Sequence, residues 1–197
     1  MNDSEVIDRF KKTGALLEGH FVLSSGLHSS VYLQCAIALQ ATRDAIDFGA
    51  ALAEHFRDRK IETVASPAIG GIMIGYEVAR QLGVRFIWTE RESGRMTLRR
   101  GFTVSEHEQI LVIEDVITTG GSTRDTIAAL QSAGAEVIAA GSIIDRSGGK
   151  ADVGVPRVSL AAVDVPAVSA EECDACKRGE IAVKPGSRLS NLAAKLP

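Results

Sequence analysis

Short apolar runs alternate with amphipathic helical segments along most of the chain. The runs that predict strands lie at 63–66, 85–89, 109–115, 136–144 and 159–163. Helical spacing occurs between them at 72–82 and 121–133, and a glycine follows each of these segments. The run ILVI at 110–113 is apolar at consecutive positions, which is typical of a strand buried on both faces. The alternation predicts an α/β fold with a central, mostly parallel sheet flanked by helices.

The two ends of the chain follow a different pattern. A predicted helix carries Val6, Ile7 and Phe10 on one face and ends at Gly14, and extended runs follow at 21–23 and 31–35. Near the other end, Ser169-Ala-Glu-Glu172 reads as a capping box and predicts a helix that continues to about residue 179. With no repeat or long linker, we expect one domain over 1–197, in which 61–164 form the core and 1–60 and 165–197 add helices and a cap.

Composition excludes several classes of protein. Hydrophobic residues make up 45% and charged residues 24%, and the net charge of -3 argues against a broad basic surface for nucleic acid. No apolar run approaches the roughly 20 residues that span a bilayer, and the polar N-terminus lacks the apolar core of a signal peptide. We therefore expect a cytoplasmic protein that binds neither nucleic acid nor membrane.

The three cysteines do not form a disulfide framework. Cys173 and Cys176 make one CxxC, whereas a structural zinc site needs about four ligands. Cys35 is distant, and no histidine close in sequence completes a set. The pair is interpreted as two small side chains on a helix, and zinc is not expected.

The segment 110–122, ILVIEDVITTGGS, carries the most specific chemistry. Glu114 and Asp115 come at the carboxyl end of the predicted buried strand, where ligands bind in open α/β sheets. The small-residue loop that follows can wrap an anion with backbone N–H groups, and the next helix adds its N-terminal dipole. Carboxylates beside an anion site indicate a sugar phosphate, whose phosphate binds the loop and whose hydroxyls bind the acids. Neither GxxxxGK[ST] nor GxGxxG is present. The alternative is a plain glycine-rich turn.

EDVITTGGS resembles the 5-phosphoribosyl 1-diphosphate (PRPP) motif of type I phosphoribosyltransferases. Four other segments resemble orotate phosphoribosyltransferases in particular: GHFVLSSGLHSSVYLQ at 19–34, SPAIGGI at 66–72, the Asp145-Arg146 pair, and VKPGSR at 183–188. The resemblance implies a type I phosphoribosyltransferase-like sheet with a small hood from both ends of the chain. It also implies transfer of the phosphoribosyl group of PRPP to orotate, giving orotidine 5′-phosphate and diphosphate in pyrimidine (UMP) synthesis.

The resemblance assigns roles to individual residues. Those expected to bind PRPP are Glu114, Asp115, Val116, Ile117, Thr118, Thr119, Gly120, Gly121 and Ser122. Thr118 and Arg146 are expected at orotate, and Gly70 and Gly71 at the diphosphate. Asp115, Arg91 and Arg95 are the expected catalytic residues. Mg²⁺ is the expected cofactor, held mainly by PRPP and not by protein side chains, and the expected assembly is a homodimer that shares a loop across subunits.

Physical arguments support some of these roles and leave alternatives open. Orotate carries a carboxylate, which a guanidinium binds in a bidentate manner, so Arg146 is a suitable partner. The alternative is that Arg146 pairs with Asp145 or another surface acid. Glycine at 70 and 71 would let backbone amides approach a diphosphate closely, or could simply make a strand-to-helix turn. The segment 91–100, RESGRMTLRR, is long for a connection and predicts a mobile cationic lid, or else a solvated charged hairpin.

Two departures from the family pattern stand out. Many relatives carry Lys, Lys and His in the lid, where this chain has arginines, and many carry lysine where Ser24 stands. A purine phosphoribosyltransferase is a competing interpretation, although a neutral purine needs no buried guanidinium. A PRPP-sensing regulator is another, although no nucleic-acid-binding domain is visible.

Overall fold

The computed structural model describes residues 1–23, 26–164 and 166–184. The strands are β1 (Leu16–Val22), β2 (His28–Leu33), β3 (Thr63–Pro67), β4 (Arg85–Glu92), β5 (Arg95–Leu98), β6 (Gln109–Ile117), β7 (Glu136–Asp145) and β8 (Arg157–Ala162). The helices are α1 (Asp3–Lys12), α2 (Cys35–Leu39), α3 (Thr42–Glu54), α4 (Gly71–Leu82), α5 (Gly121–Ser132) and α6 (Asp174–Lys177).

Six strands form the central sheet in the order β5-β4-β3-β6-β7-β8, and all neighbours pair in parallel except β4 and β5. Strand β3 is buried at every position, and β6 is buried over Ile110–Glu114, as expected for strands covered on both faces. One apolar cluster joins α1, α2, α3 and α4 to one side of the sheet, and a second joins α5 to the other. The predicted α/β architecture is confirmed.

The strand order creates a switch point between β3 and β6. The chain runs outward from β3 through β4 to β5, returns to β6 beside β3, and then continues in the opposite direction to β7 and β8. Ligands of open α/β sheets bind in the crevice that such a reversal opens at the carboxyl ends of the strands. The turns that follow β3 and β6 therefore lie side by side at this crevice.

Strands β1 and β2 form a separate antiparallel hairpin. The C-terminal segment 166–184 is attached to both of its edges. Val168 exchanges two backbone hydrogen bonds with His28, and on the other edge Val183 donates to His20 O and accepts from Val22 N. The β1–β2 hairpin and segment 166–184 thus form one substructure beside the main sheet.

The structure corrects, or decides between, four local expectations. Strand β6 continues through the acidic pair to Ile117, because its pairing with β7 extends to Ile117↔Asp145. For the segment 91–100 a lid was expected and a charged hairpin was the alternative; residues 91–98 form an antiparallel hairpin of β4 and β5. Ser93 and Gly94 occupy its turn with positive φ values of 50° and 83°, which suit a tight turn between twisted strands. A third correction concerns Cys35, which begins α2 and does not end a strand.

The fourth correction concerns the capping box. Its reciprocal bonds between Ser169 and Glu172 are present, at 3.3 and 3.4 Å, but they close a turn and not a helix. Cys173 then has extended backbone angles (φ -73°, ψ 118°), so α6 begins only at Asp174. This bend turns the Cys173 thiol inward.

The longest helix of the described chain, α3, has 13 residues. Within the described ranges, no helix combines the length and apolar character that crossing a membrane demands.

Candidate active site

The loop between β6 and α5 forms a concave site of about 250 Å³ at the switch point. Its walls come from the end of β6, the loop itself, the first turn of α5 and one residue of β4: Glu114, Val116, Ile117, Thr118, Thr119, Gly120, Gly121, Ser122, Thr123, Asp125 and Arg91. Gly120 adopts φ +74°, and a Cβ there would lie 2.9 Å from Val153 Cγ1. Both constraints require glycine at the corner, where the free N–H groups of α5 begin. We call this site the cradle.

Glu114 and Asp115 form the acidic wall of the crevice. Glu114 is 7% exposed, and its burial, followed by the nearby charge of Asp115, raises its pKa to about 9. Glu114 therefore holds a proton at neutral pH in the ligand-free protein and can donate it in a hydrogen bond. Asp115 is less buried, and its Oδ1 accepts the N–H of Val116 at 2.8 Å. The pair offers both a donor and acceptors, which is what vicinal hydroxyl groups need.

Gly70 and Gly71, at the start of α4, pack directly on this acidic pair. A Cβ at position 70 would lie 2.8 Å from both carboxylate oxygens of Asp115. A Cβ at position 71 would lie 2.9 Å from Ile113 O and 3.2 Å from Glu114 Oε1. Since neither glycine has a positive φ, close approach is the reason for glycine at both positions. The β3–α4 turn and the acidic pair therefore line one crevice; the Ala68–Ile69 peptide in that turn is cis.

Arg146 lies on the other side of the cradle, immediately after β7. Its backbone N–H donates to Ile117 O at 2.8 Å, which places it beside Thr118. Burial lowers the pKa of its guanidinium, and Nε is buried without a hydrogen-bond partner among the described residues. The expected alternative partner, Asp145, instead accepts from Arg157 at 2.9 Å and from Ser147. A half-buried guanidinium whose Nε is buried and unpaired is suited to an anionic ligand.

Cys35 is a residue of this site that the sequence did not reveal. Burial, and then the charges of Asp115 and Glu114, raise the pKa of its thiol well above the ordinary value, and Arg146 acts in the opposite direction. It therefore stays a neutral thiol between the acidic pair and the guanidinium. The start of α2, in the N-terminal part of the chain, thus reaches the crevice near Asp115 and Arg146.

The arginines of the β4–β5 hairpin have different surroundings. Arg91 lines the cradle and binds Asp125 of α5 at 2.8 Å. Arg95 forms no ion pair within the described chain and lines a separate groove along α5. Arg99 and Arg100 are engaged by Glu90, whose pKa falls to about 2, chiefly because Arg100 donates to it. Of the two expected catalytic arginines, only Arg91 reaches the cradle of its own chain.

The structure brings the predicted PRPP residues, both glycines of the diphosphate turn and Arg146 together at one edge of the sheet. It keeps Arg95 apart. Ser24 lies outside the described residues, as does the 185–188 part of VKPGSR.

Comparison with known proteins agrees with this geometry. The model of the phosphoribosyl transferase domain family matches residues 39–167. The orotate phosphoribosyltransferase of Caldicellulosiruptor bescii is 50% identical over 188 residues, which cover 95% of this chain and 99% of that protein.

Solved structures show the same fold. The orotate phosphoribosyltransferase of Aeropyrum pernix superposes with a TM-score of 0.65 at 31% identity, covering 80% of this chain and 93% of that one. The Mycobacterium tuberculosis H37Rv orotate phosphoribosyltransferase in complex with PRPP has a TM-score of 0.65 at 22% identity, covering 81% and 94%. The sequence identity, the family match and the fold agree: this chain belongs to the phosphoribosyltransferase family, in the group of the orotate phosphoribosyltransferases.

Proposed function

We propose that the cradle binds PRPP and that the phosphoribosyl group passes from it to orotate at the β3–β6 switch point. The products are orotidine 5′-phosphate and diphosphate, and the reaction serves pyrimidine nucleotide synthesis. Membership of the orotate phosphoribosyltransferases gives the reaction. One structural observation supports this placement of the two substrates: an anion cradle with an acidic wall lies beside a half-buried guanidinium whose Nε has no partner among the described residues.

In this proposal the cradle holds the ribose 5′-phosphate. Backbone N–H groups from Thr118 to Ser122 and the N-terminus of α5 face the phosphate, while Glu114 and Asp115 bind the 2′- and 3′-hydroxyls. The diphosphate then lies over Gly70 and Gly71, because that turn adjoins Asp115. Departure of diphosphate leaves positive charge on the ribose carbon, and the nearby carboxylate of Asp115 stabilises that charge.

Mg²⁺ fits this edge because carboxylate oxygens are hard ligands of the kind that it prefers. We propose that PRPP supplies most of its ligands, with Asp115 and Glu114 as the nearest protein oxygens. When bound, the ion neutralises charge on the leaving diphosphate. Arg91, already in the cradle, adds a cation from the protein itself.

Orotate binds between Arg146 and Thr118. The guanidinium takes the carboxylate in two parallel hydrogen bonds, which satisfies the buried Nε. Uracil has the same ring without the carboxylate, and adenine, guanine and xanthine carry none either. The pocket thus selects its base by a charge that these four bases lack.

This selection predicts the outcome of a direct assay. With PRPP and Mg²⁺, we expect loss of orotate absorbance, and kcat/KM for orotate should exceed that for uracil by about 10³-fold or more. Uracil is the matched control, since it differs only at the carboxylate. Faster use of a purine, or equal use of uracil, would contradict the proposed base pocket.

We further propose a cytoplasmic homodimer in which Arg95 acts across the subunit boundary. Arg95 does not reach its own cradle, and large hydrophobic side chains of α3 and α4 are exposed: Ile46 at 40%, Met73 at 49% and Tyr76 at 59%. Exposed apolar groups that lie together on neighbouring helices are typical of subunit interfaces. This surface supports pairing of two copies of the chain.

Mixed dimers test the shared role. An Arg95→Ala subunit exchanged with an Asp115→Asn subunit should restore about a quarter of wild-type activity, because half of the dimers are mixed and each has one intact site. Arg91→Ala mixed with Asp115→Asn is the control, and it should restore none, since Arg91 belongs to the same cradle as Asp115. Equal failure of both mixtures would assign Arg95 to its own subunit or to no catalytic role.

A further inference from the structure

Two histidines of the β1–β2 hairpin and two cysteines of segment 166–184 come together, and none of the four lines the cradle. His20 lies on β1, and His28 begins β2. Cys173 immediately precedes α6, and Cys176 lies within that helix. One ligand atom from each residue lies within 4.8 Å of all the others. No histidine lies close to this CxxC in the sequence, but folding brings two distant ones to it.

We propose that His20, His28, Cys173 and Cys176 bind a structural zinc ion that clamps segment 166–184 onto the β1–β2 hairpin. Two thiolates and two imidazoles in a closed set of four are a donor set that selects Zn²⁺ and leaves no open position for a substrate. Two thiolates also balance the charge of Zn²⁺, so the bound site is neutral overall. A neutral complex suits a place where three of the four residues are buried.

The distances agree with tetrahedral coordination. Sγ of Cys173 lies 3.4 Å from His20 Nε2, and Sγ of Cys176 lies 3.6 Å from His20 Nε2 and 3.3 Å from His28 Nδ1. A tetrahedron with zinc–sulfur bonds of about 2.3 Å and zinc–nitrogen bonds of about 2.0 Å has sulfur–nitrogen edges of about 3.5 Å. The two ring nitrogens are 2.7 Å apart, so binding moves them apart by about 0.6 Å, which a small ring rotation supplies.

The hydrogen bond made by Nδ1 of His20 determines that Nε2 faces the cluster. Nδ1 lies 3.1 Å from the carbonyl oxygen of Glu180, which can only accept, so Nδ1 carries the proton. In the neutral ring, Nε2 is then unprotonated and points at the two sulfurs. Histidines that bind metals are oriented by such a bond from the other ring nitrogen to a carbonyl or carboxylate. Glu180 belongs to the same C-terminal segment as the cysteines, so the bond also helps to hold that segment in place.

The C-terminal segment has little else to hold it. In 166–184, Cys173 is the one buried residue, α6 itself contributes none, and Ile181 is 90% exposed. Its other attachments to the hairpin include backbone hydrogen bonds at Val168 and Val183 and the bond from His20 to Glu180 O. Segments that bury too little apolar surface to be stable alone are commonly held by a metal, whose binding free energy becomes folding free energy.

Metal binding is tested with reduced, chelator-treated protein that carries no histidine tag. We expect it to take up about one Zn²⁺ per chain, and Co²⁺ to give the intense visible bands and sulfur-to-metal charge transfer of a tetrahedral thiolate site. X-ray absorption of the zinc form should show sulfur at about 2.3 Å and nitrogen at about 2.0 Å. This measurement uses the unmodified chain, so it stays decisive even if a variant fails to fold.

Variants assign the ligands. Replacing both Cys173 and Cys176 with Ser should abolish zinc uptake, whereas Cys35→Ser and His107→Asn should retain it. These controls use a cysteine and a histidine that lie outside the cluster. Failure of reduced wild-type protein to bind zinc would overturn the proposal, as would uptake that the double serine variant retains. A Cys173–Cys176 disulfide whose reduction yields no zinc binding would also overturn it.

Proteolysis tests the clamp itself. Trypsin should cut after Lys177 or Arg178 about tenfold faster when the chelator has removed zinc, because the segment then opens more often. Equal cleavage rates with and without zinc would show that the ion does not hold the segment. Metal uptake, the ligand variants and proteolysis are all measured without catalytic activity, so their outcomes are independent of the proposed reaction.

Discussion

Asp115→Asn should lower kcat/KM for PRPP by about two to three orders of magnitude. The carboxylate is proposed to accept from ribose hydroxyls and to face the charge that develops on the ribose carbon, and Asn keeps one acceptor oxygen but no charge. Hydrogen bonds to charged groups contribute about 1.5–3 kcal/mol each, and about 1.4 kcal/mol corresponds to a tenfold change in rate. The measurement is steady-state kinetics with orotate saturating and PRPP varied.

Glu114→Gln is the matched comparison for this variant. Glu114 is protonated in the ligand-free protein, with a pKa of about 9, and Gln has the same shape, one donor and one acceptor. We therefore expect a milder loss than at Asp115, about tenfold. Asp115→Asn also removes a charge that raises the pKa of Glu114, so the variant should fold with undiminished thermal stability. Wild-type kinetics in Asp115→Asn would refute the assignment of the acidic wall.

The parts of the site that the sequence predicted are those formed by contiguous residues. A buried strand, an acidic pair, a small-residue corner and a helix start follow one another between Gln109 and Ser132, and each is specified by its neighbours along the chain. The position of these parts relative to the β3–α4 turn could not be predicted from neighbouring residues. The contact of Gly70 with the Asp115 carboxylate depends on β3 and β6 being neighbours in the sheet, and strand order is a property of the whole fold.

The end of β6 was missed, and the choice between a lid and a hairpin at 91–100 was left open, for a related reason. Strand pairing with β7 extends β6 beyond its apolar run, and pairing of β4 with β5 turns a charged stretch into a hairpin. Polar and charged residues are ordinary in an edge strand such as β5, so the composition of 91–100 did not distinguish a loop from a hairpin. The Ser93-Gly94 pair, with its tendency to positive φ, was the local signal for the turn.

The histidine–cysteine cluster shows the limit of reading ligands by spacing. Zinc sites are recognised in sequence when ligand pairs lie close together, but here 153 residues separate His20 from Cys173. The signal that was available is the pair of histidines placed on neighbouring strands of one short hairpin. Cys35 was missed similarly, because only the folded chain brings the start of α2 to Asp115 and Arg146.

Arg146→Ala should raise the KM for orotate by about 100-fold while changing the KM for PRPP only slightly. The variant removes a half-buried guanidinium that is proposed to bind the substrate carboxylate through two charged hydrogen bonds, worth about 3 kcal/mol together in this partly open pocket. For Arg146→Lys, the KM for orotate should lie between those of the wild type and Arg146→Ala, because an ammonium keeps the charge but not the planar pair of donors. Initial rates over a grid of both substrate concentrations separate the two KM values.

Arg157→Ala is the comparison that distinguishes a binding role of Arg146 from a structural role at the same end of β7. Arg157 binds Asp145, the neighbour of Arg146, at 2.9 Å, so its loss should lower thermal stability through an unpaired buried carboxylate and alter both KM values alike. Arg146→Ala should leave thermal stability undiminished and raise mainly the KM for orotate. Its guanidinium has no ion-pair partner within the described chain. Removing an unpaired, desolvated charge leaves nothing behind to destabilise the fold. Equal effects of Arg146→Ala on the two KM values would place Arg146 outside the base pocket and return the choice of base to other residues.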